Sequence, residues 1–268
     1  MKHRILFLYL ILSYGISAQT LADFNIPDTV ALHGSLQGMA TYGHHAFLLR
    51  DGGQCIILDL NRRQFCAAFQ LDSNNTHCNN ASFSNRFYHP ADPFPLLYVS
   101  SCYGDKACLV YRIDTLGATL LQRIIFDSPR FPIAQDWCLD TAQGHIYAYG
   151  GRRGGTMHLL RFQLPDITSR LVLLTDSLVL HDTPIQCVNI AQGSCISNGR
   201  AYLPDGIPGQ AAIHIIDLES GHELQSISLN HLNLEPEGIS LRPPYLQLSF
   251  HTPSPRNNLL LSIPLNHE

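Results

Sequence analysis

The sequence predicts an all-β chain: a five-bladed β-propeller of four-stranded antiparallel blades, closed by its N-terminal strand. Three observations lead there. Five segments repeat one order of features, short strand-like runs follow one another with no long amphipathic helical stretch, and residues 19–268 supply about 50 residues for each of five units. Radially arranged four-stranded units of roughly 40–50 residues are the propeller pattern. Six shorter blades would also fit the length, and a β-sandwich would also show recurring turns, but only five three-strand units can be counted. The composition agrees with a turn-rich globular chain: 45% hydrophobic, 19 Gly and 16 Pro, and 14% charged, against about 25% charged in average soluble domains. This excludes a charged disordered chain and a coiled coil.

At the N-terminus, Lys2, His3 and Arg4 precede the apolar run Ile5 to Leu12, and Ser13 to Ala18 end in small residues. This reads as a secretory signal peptide over residues 1–18, cut after Ser17 or Ala18. The domain expectation is therefore 1–18 signal peptide and 19–268 a single propeller domain. The expected location is exported: periplasmic, cell-surface or extracellular. The apolar run is shorter than the roughly 20 residues a bilayer span needs, so no transmembrane segment is expected. Cleavage removes Lys2 and Arg4, leaving 15 basic against 21 acidic residues, a net −6, with Lys106 the one remaining lysine. Only Arg62-Arg63 and Arg152-Arg153 pair up, so no basic stripe offers to neutralise phosphates, and nucleic acid is not an expected partner.

The repeats begin at Gln37, His77, Asp136, Gln192 and Glu237, with spacings of 40, 59, 56 and 45. Each leading polar residue opens a small-residue strand. A second strand follows, such as Ala46–Leu49, Leu96–Val99, His145–Ala148, Ala201–Leu203 or Tyr245–Leu248. A third, β-branched or Leu-rich strand comes next, such as Ile56–Leu60, Leu109–Asp114 or Ile213–Leu218. The second unit carries an insertion over Ser84–Pro95, rich in Pro and aromatics. Fourth strands are expected at Cys66–Leu71, Leu120–Phe126, Leu171–Leu180 and Glu223–Leu229. The fifth unit runs out of chain, and Asp23–Ile26 or Val30–Leu32 can supply the missing strand from the other end.

The innermost strands of a propeller line its central channel. Equivalent positions then bring Gln37, His77, Asp136, Gln192 and Glu237 to one channel mouth, with Asn79 beside them. The next residues include Gly38, Gly193 and Gly238, a sign of close backbone approach near the axis. Buried polar groups need partners. The ring is either a water-filled funnel or a binding site for a small polar ligand. Asp136, Glu237 and the side-chain carbonyls of Gln37, Asn79 and Gln192 are oxygen donors of the kind Ca²⁺ takes, so Ca²⁺ in the channel is one expectation; His77 suits a transition metal better. A catalytic version uses Asp136 and Glu237 as general acid and base, with His77 as a proton shuttle. No GxSxG elbow or phosphate loop is present. Gly150–Gly155, with its two arginines, reads as an exposed hairpin between second and third strands.

Eight cysteines form no CxxC pair, which argues against a zinc ribbon. An even count in an exported chain admits disulfides, and Cys102 and Cys108 flank a turn across which they could bridge. Two buried thiols fit the same pattern.

Gln37-Gly38, His77-Cys78-Asn79-Asn80 and Glu235-Pro236-Glu237-Gly238-Ile239 resemble inner-strand motifs of secreted five-bladed propellers of the helveticin-J-like and teichoic-acid-related kind. The resemblance implies a propeller with its ring at the channel mouth and no settled activity. Plant-type glutaminyl cyclases share Gln-Gly inner strands, but their Trp-rich motifs are absent, Trp137 being the single tryptophan. Arabinanase-like glycosidases use acids on three successive blades, whereas Gln37 and His77 occupy the first two here. The expected function is a secreted propeller that binds a small polar ligand, a glycan or an envelope protein at its funnel. The alternatives are a glycosidase-like hydrolase and a scaffold without a small-molecule site. Phe87, Tyr88, Phe94 and Tyr103 are expected exposed aromatics, and a monomer is expected.

Overall fold

A computed structural model describes residues 19–71, 77–104, 106–114, 117–128, 136–151, 155–251 and 254–265. The expected signal peptide lies outside these residues, as do Arg152 and Arg153.

Five small sheets form a ring. The chain starts with β1 (Thr20–Asn25) and then builds blade one from β2 (Leu36–Tyr42), β3 (His45–Arg50), β4 (Gln54–Asp59) and β5 (Gln64–Gln70). Blade two contains β6 (Ala81–Phe83), β7 (Leu97–Ser100), β8 (Cys108–Asp114) and β9 (Gly117–Phe126). Blade three starts with β10 (Asp136–Asp140), β11 (His145–Gly151) and β12 (Met157–Gln163). The chain then leaves that blade as β13 (Leu171–Leu174) and returns as β14 (His181–Ile185) to complete it. Blade four is β15 (Cys195–Ser197), β16 (Arg200–Asp205), β17 (Ala212–Asp217) and β18 (Glu223–Ser228). Blade five is β19 (Glu235–Arg242), β20 (Tyr245–His251) and β21 (Asn257–Pro264), and β1 pairs antiparallel with β21 as its fourth strand. The expected closure by the N-terminal strand is therefore present. Arg256 fastens it, donating from Nη1 to the Pro27 carbonyl at 2.9 Å and pairing through Nε with Asp28 at 2.9 Å.

The core is divided among the blade seams. Phe47 and Leu49 of β3 face blade two with Leu97 and Val99, whereas Ala46 and Leu48 face blade five with Leu260. Tyr98 turns to blade three and packs with Trp137 and Phe162. The blade three to four and four to five seams are built alike. Because alternate side chains enter two different seams, middle strands are buried on both faces. β4 is wholly buried along Gln54–Asp59, and its sequence accordingly reads as a continuous apolar run rather than an alternation. Burying one side chain such as Phe47 or Leu48 contributes roughly 1.5–3 kcal/mol.

One outer strand departs from expectation. Leu171–Leu180 is not the fourth strand of blade three. Its first part, β13, runs parallel to β9 at the outer edge of blade two. Leu174 and Val172 drop into the seam with Ile124 and Phe126, while Leu171 and Leu173 face solvent. The chain then turns through a short 3₁₀ segment, Asp176–Leu178, and β14 pairs with β12. Pro184 hid β14 in the sequence, since proline reads against a strand except at a sheet edge, where this one lies.

Candidate functional site

The lower axis is closed by backbone. A side-chain carbon on Gly38 would stand 2.8 Å from Asn80 Cα, and one on Gly238 would stand 2.7 Å from the Met39 amide nitrogen. Inner strands therefore approach as closely as glycine permits. Asn80 is fully buried and crosses the axis. Its Nδ2 donates to the carbonyls of Trp137 at 3.0 Å and Ser194 at 2.9 Å, joining blade two to blades three and four. Its Oδ1 has no partner among the described residues.

Next to this plug lie the sequence-predicted ring residues. Gln37, Asp136 and Glu237 sit on β2, β10 and β19 and are buried. Gln192 is also buried but precedes β15, and Asn79 precedes β6. Asn79 Nδ2 donates to Asp136 Oδ1 at 2.7 Å and to the Ala191 carbonyl at 3.1 Å. The Gly193 amide donates to Asp136 Oδ2 at 3.2 Å. Asp136 is thus tied to blades two and four through both oxygens. Gln192 Nε2 donates to Glu235 Oε1 at 3.1 Å and to the Gly206 carbonyl at 3.3 Å.

His77 is not on an inner strand. It sits outward of Asn79, its side chain 24% exposed, with Nδ1 2.5 Å from Asp51 Oδ1 and its ring 5.1 Å from that of Tyr103. Asn79 rather than His77 reaches Asp136. Sequence reasoning missed Asp51, Glu235 and the axial role of Asn80. Asp51 lies in the turn Asp51-Gly52-Gly53 between β3 and β4, and Glu235 opens β19. The one available signal was topological: loops joining second to third strands lie at the same blade end as the starts of first strands.

Burial governs the two inner carboxyls. It pushes Asp136 up to about 7, against the pull of the Asn79 and Gly193 hydrogen bonds. It pushes Glu237 up to about 9, reinforced by the neighbouring carboxylates of Glu235 and Asp51. Glu237 has no hydrogen-bond partner among the described residues, so nothing offsets its desolvation.

None of the eight cysteines is in a disulfide, and the expected Cys102–Cys108 bridge is not formed. Cys108 packs into the blade two to three seam with Tyr98 and Trp137, where Cys138 is an electrostatic neighbour. Cys102 instead neighbours Asp136, Cys78 and Asp51 at the mouth, where burial pushes its thiol up to about 12. The two thiols belong to different surroundings.

A second cluster lies between blades three and four. Cys187, His214 and Glu223 come together there with Asp205 close by. No local motif marks it, because its members are scattered over the segment after β14 and over β16, β17 and the start of β18.

The architecture is that of a five-bladed β-propeller, and comparison with solved structures agrees. The chain is similar to a glutaminyl cyclase from Myxococcus xanthus, with a TM-score of 0.59 and 13% identity over 91% of this chain and 97% of that one. It is also similar to the PQQ-bound form of an aldose sugar dehydrogenase from Streptomyces coelicolor, with a TM-score of 0.53 and 8% identity over 91% and 98% of the two chains. No known family profile matches the sequence, and no curated protein matches it. The likeness is one of fold, and it does not extend to the helveticin-J-like assignment of the short motifs. Among the described residues, no helix is long and apolar enough to cross a membrane.

Proposed function

We propose that the protein binds a small ligand rich in hydrogen-bond donors, a polyol or an amine, at its central mouth. One observation carries this reading. Glu237 is buried, has no hydrogen-bond partner among the described residues, and lies beside Glu235 and Asp51. Such a carboxyl gains from any donor or cation brought to it, because desolvation leaves it short of partners. Gln192, bonded to Glu235, and Asp51, paired with His77, belong to the same mouth and would select orientation. Ca²⁺ is a second kind of occupant, drawing on the carboxylates of Glu237, Glu235 and Asp51. Export through the N-terminal leader would place this site outside the cytoplasm, within reach of a glycan. One neighbour in fold is a PQQ-bound sugar dehydrogenase and another a glutaminyl cyclase, which supports a small-molecule site on this scaffold.

The hydrolase reading draws on the same raised carboxyls, since a protonated Glu237 suits a general acid. Asp136, its intended partner, already spends both oxygens on Asn79 and Gly193, so binding is the better supported role.

The test is thermal unfolding of the protein and of Glu237→Gln against monosaccharides, polyamines and Ca²⁺. A ligand at 100 times its Kd stabilises by about 2.7 kcal/mol. The expected result is stabilisation of the parent that falls at least tenfold in apparent affinity for the variant. Equal stabilisation of both proteins would move binding away from the mouth.

A further inference from the structure

The cleft between blades three and four has the chemistry of a metal site. The seam is rigid. The β17–β18 turn presses its backbone on β14, and a side-chain carbon on Gly221 would meet the Pro184 carbonyl oxygen at 2.2 Å. Thr183 Oγ1 donates to the Leu218 carbonyl at 2.5 Å, and Arg161 pairs with Glu219 at 2.7 Å. These contacts fix Cys187, which follows β14, relative to His214 on β17 and Glu223 on β18.

The Cys187 thiol, a ring nitrogen of His214 and a carboxylate oxygen of Glu223 lie within 4.8 Å of one another. His214 Nδ1 is 2.7 Å from Glu223 Oε1, and Nε2 is 3.7 Å from Asp205 Oδ2. Asp205 is buried and anchored: it accepts the Ile190 amide at 2.8 Å and the Asn189 amide at 3.1 Å. One ring nitrogen therefore meets a potential ligand, Glu223, while the other is turned to an immobilised carboxylate. Metal-bound histidines are oriented in this way, with the second nitrogen turned to a carboxylate. Cys187 and Glu223 also line an open cleft of about 640 Å³, together with Gln186 and His222.

We infer that Cys187, His214 and Glu223 bind a borderline divalent cation of the Zn²⁺ class, with Asp205 positioning His214 and the cleft leaving one coordination position open. The donor set selects the ion: thiolate and imidazole suit zinc and its neighbours, whereas Ca²⁺ and Mg²⁺ take oxygen alone. Binding displaces the thiol proton and the proton on Nδ1, and Glu223 turns from the imidazole to the ion. The Asn189–Gln192 segment joins this site to the central mouth, but the site's donor set does not depend on the ligand proposed there.

Co²⁺ is the probe, since its thiolate complexes absorb by charge transfer. The full chain, stripped with chelator and titrated with Co²⁺, should take up one equivalent with a thiolate-to-cobalt band that Zn²⁺ bleaches. Cys187→Ser should abolish the band, and Cys66→Ser, at an exposed thiol elsewhere, should leave it intact. Glu223→Gln, at a side chain 36% exposed, should weaken Co²⁺ at least tenfold. Asp205→Asn should cost about 10–100-fold, as expected of an outer partner of a ligating histidine. A band that survives Cys187→Ser, affinity unchanged in Glu223→Gln, or no band at all would each overturn the assignment.

Discussion

The central mouth and the cleft between blades three and four both gather ionisable side chains, in opposite electrostatic settings. At the mouth, burial dominates. Asp136 and Glu237 rise to about 7 and about 9, and Glu237 meets further carboxylates instead of donors. In the cleft, partners dominate. Asp205 first, then Cys187 and Glu223, raise His214 to about 10 despite its burial, while Asp205 itself is lowered by His214 and the amides of Asn189 and Ile190. The cleft is charge-compensated within the chain, with an imidazolium between carboxylates. At the mouth, Glu237 has no compensating group, and burial holds it protonated. One scaffold thus holds a balanced cluster in which an ion can replace protons and an unbalanced one that gains from an incoming donor.

Opening the ring should have the largest effect. A chain beginning at Ser35 lacks β1, separates blade five from blade one, and leaves β21 with an open edge that invites association. Soluble, cooperative unfolding should be lost, as read by size-exclusion chromatography and urea denaturation. A monomeric, cooperatively folding product would contradict closure by β1. A more selective change is Gly238→Ala, which pushes a carbon onto the Met39 amide. It should cost about 1–3 kcal/mol in urea unfolding, the usual range for overpacking, while Co²⁺ uptake in the cleft stays unchanged. A loss of Co²⁺ uptake would show that the two regions are not independent.

The smallest effect is a pH slope. The folded state holds the Glu237 proton up to about 9, whereas the unfolded chain releases it near 4.5. Between those values the unfolded state binds fewer protons, so stability falls as pH rises. Asp136 adds the same sign only up to about 7. From about pH 7 to 9, the parent should lose stability relative to Glu237→Gln by about 1.4 kcal/mol per pH unit or less. Parallel stability curves for the two proteins would show that Glu237 ionises normally.

The scaffold was legible because each seam requires apolar side chains on both faces of the middle strands. Runs such as Ala46–Leu49 and Leu109–Tyr111 therefore stand out, and polar-to-small steps such as Gln37-Gly38 mark where strands converge. The fourth strand of blade three was not legible. Leu171–Leu174 has strand character, but where it pairs depends on a seam three-dimensionally beside blade two, and Pro184 conceals the true edge strand. At the mouth, Gln37, Asp136 and Glu237 could be placed from their position on the first strands. His77 could not be, because β6 is only three residues long and the step from leading residue to strand lengthens there. The cleft left no trace in any local motif: Asp205, His214 and Glu223 come from three neighbouring strands of blade four, and Cys187 from the segment that leaves blade three.

On the function proposed above, burial without a partner keeps Glu237 protonated and makes the mouth a binding site. The direct measurement is a carboxyl-carbon NMR titration of protein labelled at glutamate, with Glu237 assigned from the resonance missing in Glu237→Gln. The expected midpoint is about 9, moving downward when a polyamine or Ca²⁺ binds, because a nearby cation favours the carboxylate. A midpoint in the ordinary carboxylate range near 4.3, unmoved by those ligands, would contradict it.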